Sequence, residues 1–106
     1  MATIEAFQAI DIRAGRVIAA APLAGARRPA LRLTTDFGPE LGERQSTERY
    51  APEALTGRQV LAVVNLPPPR VAGLRSEVLV LGLSDGEGRV VLVCPDSTVP
   101  EGARLH

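Results

Sequence analysis

The chain has no lysine and no tryptophan, one cysteine, one histidine and three aromatic residues in 106. Each scarcity excludes something. The lone Cys94 cannot form an internal disulfide, which fits a reducing compartment. With no sequence-adjacent base to activate it, Cys94 reads as a small core hydrophobe. The one histidine, His106, is the last residue. No His/Cys/Asp/Glu group has metal-ligand spacing, so no metal and no cofactor are expected. Nothing pairs a nucleophile with a base, so no enzyme is expected. Asp36-Phe37-Gly38 spells the kinase tripeptide, but the chain is far too short for a kinase and has no lysine for nucleotide phosphates. No apolar run approaches the ~20 residues of a membrane helix. Residues 1–10 carry Glu5 and no basic segment, unlike a signal peptide. A cytoplasmic protein with no membrane partner is the expectation.

What remains is one domain-sized chain, 45% apolar, whose core must be aliphatic. Thr3 stands as N-cap to a short helical turn through Phe7. From Ile10 the period becomes two: Ile10, Ile12 and Ala14 alternate with Asp11 and Arg13. Gly15 interrupts this strand, and a bulge or sharp coil is expected there. Residues 22–29 read as a loop. A second strand follows over 30–36, with Leu31, Leu33 and Thr35 on one face and Arg32, Thr34 and Asp36 on the other. Phe37-Gly38-Pro39 reads as a turn, and Glu43 to Thr47 as a short third strand. Residues 52–55 read as a helical turn stopped by Gly57. Gln59 to Leu66 is almost wholly apolar, as a strand buried on both sides would be. Glu77–Leu83 and Arg89–Cys94 flank the hairpin loop 84–88. Residues 67–76 hold three prolines and are expected to stay out of any ladder. Three strands, a helical turn, then further strands without a βαβ rhythm give an all-β class. The order is that of the five-stranded OB-fold barrel, with short helical turns at the N-terminus and between strands three and four.

The charges balance, with 12 basic and 12 acidic residues, but they are segregated. All twelve basic residues are arginine, which forks onto phosphate better than lysine does. Five (Arg13, Arg16, Arg27, Arg28, Arg32) lie between Asp11 and Leu33 against that one acid. Arg58, Arg70 and Arg75 lie in an acid-free stretch, 54–76. OB-folds bind oligonucleotides on the face of strands two and three, between the loops joining strands one to two and four to five. Arg27 and Arg28 fall in the first loop, Arg70 and Arg75 in the second, and Arg32 points outward between them. The competing reading is that these arginines are merely solvated. Few aromatics are available for stacking, so contact with phosphate and shape is expected over reading of unpaired bases.

Several segments carry a family resemblance: Ala6-Phe7 with Asp11-Ile12-Arg13-Ala14-Gly15-Arg16-Val17-Ile18, Ala62-Val63-Val64-Asn65 with Pro67-Pro68, and Ser76-Glu77-Val78-Leu79-Val80-Leu81-Gly82. The chain resembles the tRNA-binding-domain family along nearly its whole length. That family includes the CsaA-like export-associated chaperones, the C-terminal module of bacterial methionyl-tRNA synthetases and the EMAP-like proteins. The likeness is strongest to the CsaA-like members. It implies one OB-fold domain over 1–106 working as a homodimer, with 1–9 and 95–106 as dimer-forming extensions, and tRNA as partner. On that reading Arg27, Arg28, Arg32, Arg70 and Arg75 contact phosphate, while Ser46, Asn65 and Ser76 supply polar contacts or hold loops. For CsaA-like members the resemblance also implies chaperone activity on unfolded or secretory preproteins. Phe37, Leu66, Val71 and Leu74 would then line apolar peptide grooves, although Leu66, Val71 and Leu74 read equally well as loop packing.

Overall fold

A computed structural model describes residues 1–25, 30–48, 55–67, 70–71 (backbone alone) and 74–106. Helix α1 (Ile4–Gln8) starts where Thr3 Oγ1 accepts the N–H of Ala6. It buries none of its residues, so a single turn is held by its ends rather than by packing. Asn65 supplies the hold: its Nδ2 donates to the Ala9 carbonyl at 2.9 Å and its Oδ1 accepts the Asp11 N–H at 2.9 Å.

Strand β1 (Ile12–Pro22) pairs antiparallel with β2 (Leu31–Asp36) through residues 16–22. β2 pairs in turn with β3 (Glu43–Glu48). Between them lies α2 (Gly38–Leu41), one turn where only a loop was expected. Gly38 enters it at φ +86 and Pro39 suits its first turn, while Asp36 Oδ1 takes the Gly38 N–H. On its other edge β1 pairs with β4 (Gln59–Val63), and β4 with β7 (Leu79–Val80). The sheet order is β3-β2-β1-β4-β7. The far edges approach each other: Glu77 N–H donates to the Gln45 carbonyl, and Glu77 Oε2 accepts the Gln45 N–H at 2.7 Å. The result is a nearly closed, five-stranded, OB-like barrel. Its interior holds Val17, Leu33, Leu55, Val60 and Ala62, aliphatic as the shortage of aromatics requires, with one aromatic among them, Phe37.

Several local expectations are corrected. The register slips between Val17 and Ala19, so the bulge is at Ile18 and not at Gly15. Gly15 serves a close approach instead: a Cβ there would stand 2.7 Å from two ring carbons of Phe37 and 2.7 Å from Thr35 Cγ2. Residues 70–75 do form a ladder, because β5 (Arg70–Val71) pairs with β6 (Leu74–Arg75) beyond the prolines. The strand expected over 77–83 divides into β7, in the main sheet, and β8 (Gly82–Ser84), which forms a separate hairpin with β9 (Val90–Leu92). In that hairpin's loop Asp85 Oδ1 accepts the N–H of Glu87 and of Arg89, which lowers the Asp85 pKa. The strand expected over 59–66 ends at Val63. Cys94 is exposed rather than in the core. The helical turn expected over 52–55 lies outside the described residues except for Leu55, which is fully buried.

Because β2 pairs β1 only from Arg16 onward, residues 12–14 of β1 have a free edge. The C-terminal segment fills it. Gly102 N–H donates to the Ala14 carbonyl, Ala14 N–H to that of Ala103, and Leu105 N–H to that of Ile12. Arg16 Nε meets Glu101 Oε1 at 2.7 Å, and Gln59 Nε2 donates to the Val99 carbonyl. The hydrogen bond from Arg16 holds the Glu101 carboxyl below its ordinary value of 4.5. A depressed carboxyl contributes stability above its unfolded pKa and loses it as pH falls through the folded pKa. The thermal advantage of the native chain over Glu101→Gln is therefore expected to be full near neutral pH. It should shrink on titration from about pH 6 to about pH 3, as paired melting curves would show.

Candidate nucleic-acid interface

Register across β1, β2 and β3 places three outward rows side by side. The first is Ala21, Arg32 and Thr47; the second Ala19, Thr34 and Gln45; the third Arg16, Asp36 and Glu43. Alternation turns the neighbours inward: Leu31, Leu33 and Thr35 of β2 are buried while Arg32 is exposed. The alanines of β1 leave the first two rows low, and no aromatic residue stands on them. Arg32 therefore rises from a flat, neutral, hydroxyl- and amide-bearing surface. Beside β3 packs β6, whose Arg75 is also exposed.

The ion pairs separate the arginines into two groups. Arg13 meets Asp11 at 2.7 Å, Arg16 meets Glu101 at 2.7 Å, Arg104 meets Asp11 at 3.4 Å, and Arg89 meets Asp85 and Glu87 at 3.0 Å. The hydrogen bond to Asp11 raises the Arg13 pKa further. Arg44 Nε donates to the Leu41 carbonyl. Arg32 and Arg75, in contrast, make no hydrogen bond or ion pair with any other described residue. A guanidinium left exposed and uncommitted is available to an external phosphate or carboxylate. The segregation of charge along the sequence thus overstated the basic face, since Arg13 and Arg16 secure the C-terminal segment.

The remaining expected RNA contacts are distributed as follows. Arg27 and Arg28 lie outside the described residues. The ends of their loop, Leu23 and Ala30, are joined by a backbone hydrogen bond of 2.9 Å at the Arg32 end of the sheet. Arg70 is the register partner of Arg75, and only its backbone is described. Asn65 is engaged in holding α1. Ser46 is a correction: it is 1% exposed, directly across from Leu33 on the inner face, and its Oγ has no hydrogen-bond partner among the described residues. Ser76 is also buried, and its Oγ donates to the Val78 carbonyl, a loop-holding bond rather than a surface contact. Thr34, Gln45 and Thr47 were not singled out in the sequence. Alternation in β2 marks Thr34, but the pair on β3 needed the register.

The apolar grooves are also rearranged. Phe37 is 1% exposed and lies in the core over Gly15, so it lines no groove. Leu66 is exposed, Leu74 is half-buried, and the side chain of Val71 lies outside the description. An apolar recess of about 440 Å³ lies elsewhere, lined by Ile4, Phe7, Ile10 and Leu105 together with Gln8, Arg104 and His106. Among the described residues no group of His, Cys, Asp and Glu could hold a metal ion, and no helix is long and apolar enough to cross a membrane.

Residues 12–104, which include every strand of this barrel, match the family described as "Putative tRNA binding domain". The chain belongs to the tRNA-binding domain family. Among solved structures, the chaperone CsaA of Bacillus anthracis superposes with a TM-score of 0.91 at 49% identity, over 100% of this chain and 99% of that one. The CsaA chaperone protein of Picrophilus torridus superposes with a TM-score of 0.92 at 37% identity over the whole of both chains. The methionine–tRNA ligase of Methanothrix thermoacetophila is 38% identical over 104 residues, 94% of this chain and 15% of the ligase. That of Archaeoglobus fulgidus is 34% identical over 105 residues, 97% of this chain and 16% of the ligase. The chain spans about one-sixth of the length of the ligases it matches, whereas the CsaA structures match it end to end.

Proposed function

We propose that this chain is a non-enzymatic tRNA-binding protein of the CsaA type that grips the RNA backbone on the outer face of β1, β2 and β3. The observation that carries the reading is the pair of exposed, uncommitted arginines, Arg32 and Arg75, beside a flat neutral surface in a chain of this family. Arg27, Arg28 and Arg70, expected from the sequence to lie on the two flanking loops, are assigned as further phosphate contacts. With no aromatic residue on the described face, contact is with phosphate and ribose rather than with stacked bases. The protein works in the cytoplasm, where tRNA is found, as a twofold dimer. Each subunit covers the exposed Ile4, Phe7, Ile10 and Leu105 of its terminal segments against the other, which duplicates the basic face.

Titration with bulk tRNA at two salt concentrations tests this. Affinity should fall steeply with salt, because each neutralised phosphate releases condensed counterions. Affinity that is absent, or indifferent to salt, would overturn the reading. Ser46→Ala is expected to leave tRNA affinity within about twofold of the native value. Its melting temperature should be unchanged or slightly higher, since a buried hydroxyl without a partner contributes no net hydrogen bond.

A second reading, a chaperone for unfolded or export-bound polypeptides, is favoured by the terminal apolar recess and by the CsaA names of the matching structures. Its client would be an apolar segment. Binding would persist in high salt, which separates it from tRNA binding in the same titration.

A further inference from the structure

The outer face that carries Arg32 does not stay neutral along its length. Four residues further along β2, a distance of about 13 Å at strand spacing, the row is Arg16, Asp36 and Glu43. Arg16 is turned away to Glu101 and to the Gly57 carbonyl, so its charge is already matched. Asp36 is half-buried and takes the Gly38 N–H. Glu43 is exposed and makes no ion pair with another described residue. The face therefore runs from an uncommitted cation at one end to an uncommitted anion at the other, with only hydroxyls, an amide and methyl groups between. Asp36 and Glu43 line one recess of about 730 Å³ with Gly38, Gly42, Pro100 and Glu101, whose charge Arg16 matches.

We infer that Glu43 is a specificity determinant for RNA on this face: it sets, by repulsion, the limit of the footprint. This rests on the tRNA reading above. A polyanion held at Arg32 that continued along the strands would bring a phosphate onto Glu43, where the row's cation, Arg16, is already matched by Glu101. At physiological salt the screening length is about 8 Å, so Glu43 does little to a phosphate at Arg32 but opposes one placed over its own row. The RNA is thereby held to the Arg32 end of the face rather than continuing along the strands. A ligand whose phosphates track a straight path down the sheet is disfavoured, and one that bends away at the second row is accepted.

The test compares Glu43→Lys with Glu87→Lys, which changes net charge equally but lies in the loop of the β8–β9 hairpin, outside this face. Glu43→Lys is expected to tighten tRNA binding about fivefold at low salt and to steepen the salt dependence by about one unit, one new phosphate contact. Nuclease protection of the bound tRNA should lengthen by one or more phosphates. Glu43→Gln should give a smaller gain in the same direction, and Glu87→Lys should leave both slope and footprint at native values. Equal effects of Glu43→Lys and Glu87→Lys, or an unchanged footprint, would overturn the role of Glu43 while leaving the tRNA reading intact. Absence of tRNA binding by the native protein would remove both, and is seen before any variant is made.

Discussion

Replacing Arg32 with alanine is expected to weaken tRNA binding about tenfold and to lower the salt dependence by about one unit, the signature of one lost phosphate contact. Arg75→Ala should do the same, and the double variant should lose about a hundredfold if the two contacts are independent. The magnitude follows from the state of the two side chains in the free protein. Neither is bonded to another described residue, so neither must break an ion pair before binding. Charge-assisted hydrogen bonds to an anion are worth about 1.5–3 kcal/mol, and exposure to salt brings the value toward the lower end. Arg32→Lys should keep most of the salt dependence but lose part of the affinity, because an ammonium cannot fork onto two phosphate oxygens. Arg89→Ala provides the contrast. That guanidinium is already engaged by Asp85 and Glu87 on the separate β8–β9 hairpin, and its removal should leave binding unchanged. If the Arg32/Arg75 double variant bound tRNA as tightly as the native protein at every salt concentration, the face would be wrongly assigned.

Among the glycines within strands, Gly15→Ala is expected to be the damaging one, lowering stability by about 1–3 kcal/mol through overpacking. For a domain of this size, a loss in the middle of that range corresponds to a melting temperature lower by about 10 °C. The added Cβ would stand 2.7 Å from the Phe37 ring and from Thr35 Cγ2. Both are fully buried, so neither can swing clear. Gly86→Ala is the matched control, since a Cβ at Gly86 meets nothing within 4 Å. It should leave the melting temperature within about 2 °C of native. A double-mutant cycle with Phe37→Leu should show coupling, the combined loss being smaller than the sum, because the smaller side chain vacates the space the methyl needs. Additive losses would mean that Gly15 matters for some reason other than its contact with Phe37.

The two predictions rest on different kinds of information. Outward exposure of Arg32 was legible from the residues alone, because strand alternation puts Arg32 opposite to Leu31 and Leu33 whatever the strand pairs with. The contact of Gly15 with Phe37 was not. A glycine in a strand signals either a bulge or a close approach, and only the register of β1 against β2, with its slip at Ile18, decides between them. Phe37 shows the same limit. Beside a glycine and a proline it reads as a turn residue, yet it reaches back over β1 to fill the core, an interaction across more than twenty residues of chain.

The sequence by itself determined the class and the order of the barrel. Period-two alternation, turn residues and the lack of long apolar runs are local signals, and each strand must satisfy them wherever it packs. It also determined that the core is mostly aliphatic and that all twelve basic residues are arginine. Only the tertiary structure decided which arginines remain available. Arg16 is consumed by Glu101 because the C-terminal segment returns to the free edge of β1, and Arg13 by its near neighbour Asp11, while Arg32 and Arg75 are not. Charge neutralisation depends on distances of a few ångströms between residues far apart in the chain, up to 85 positions for Arg16 and Glu101, and no local pattern encodes such a distance.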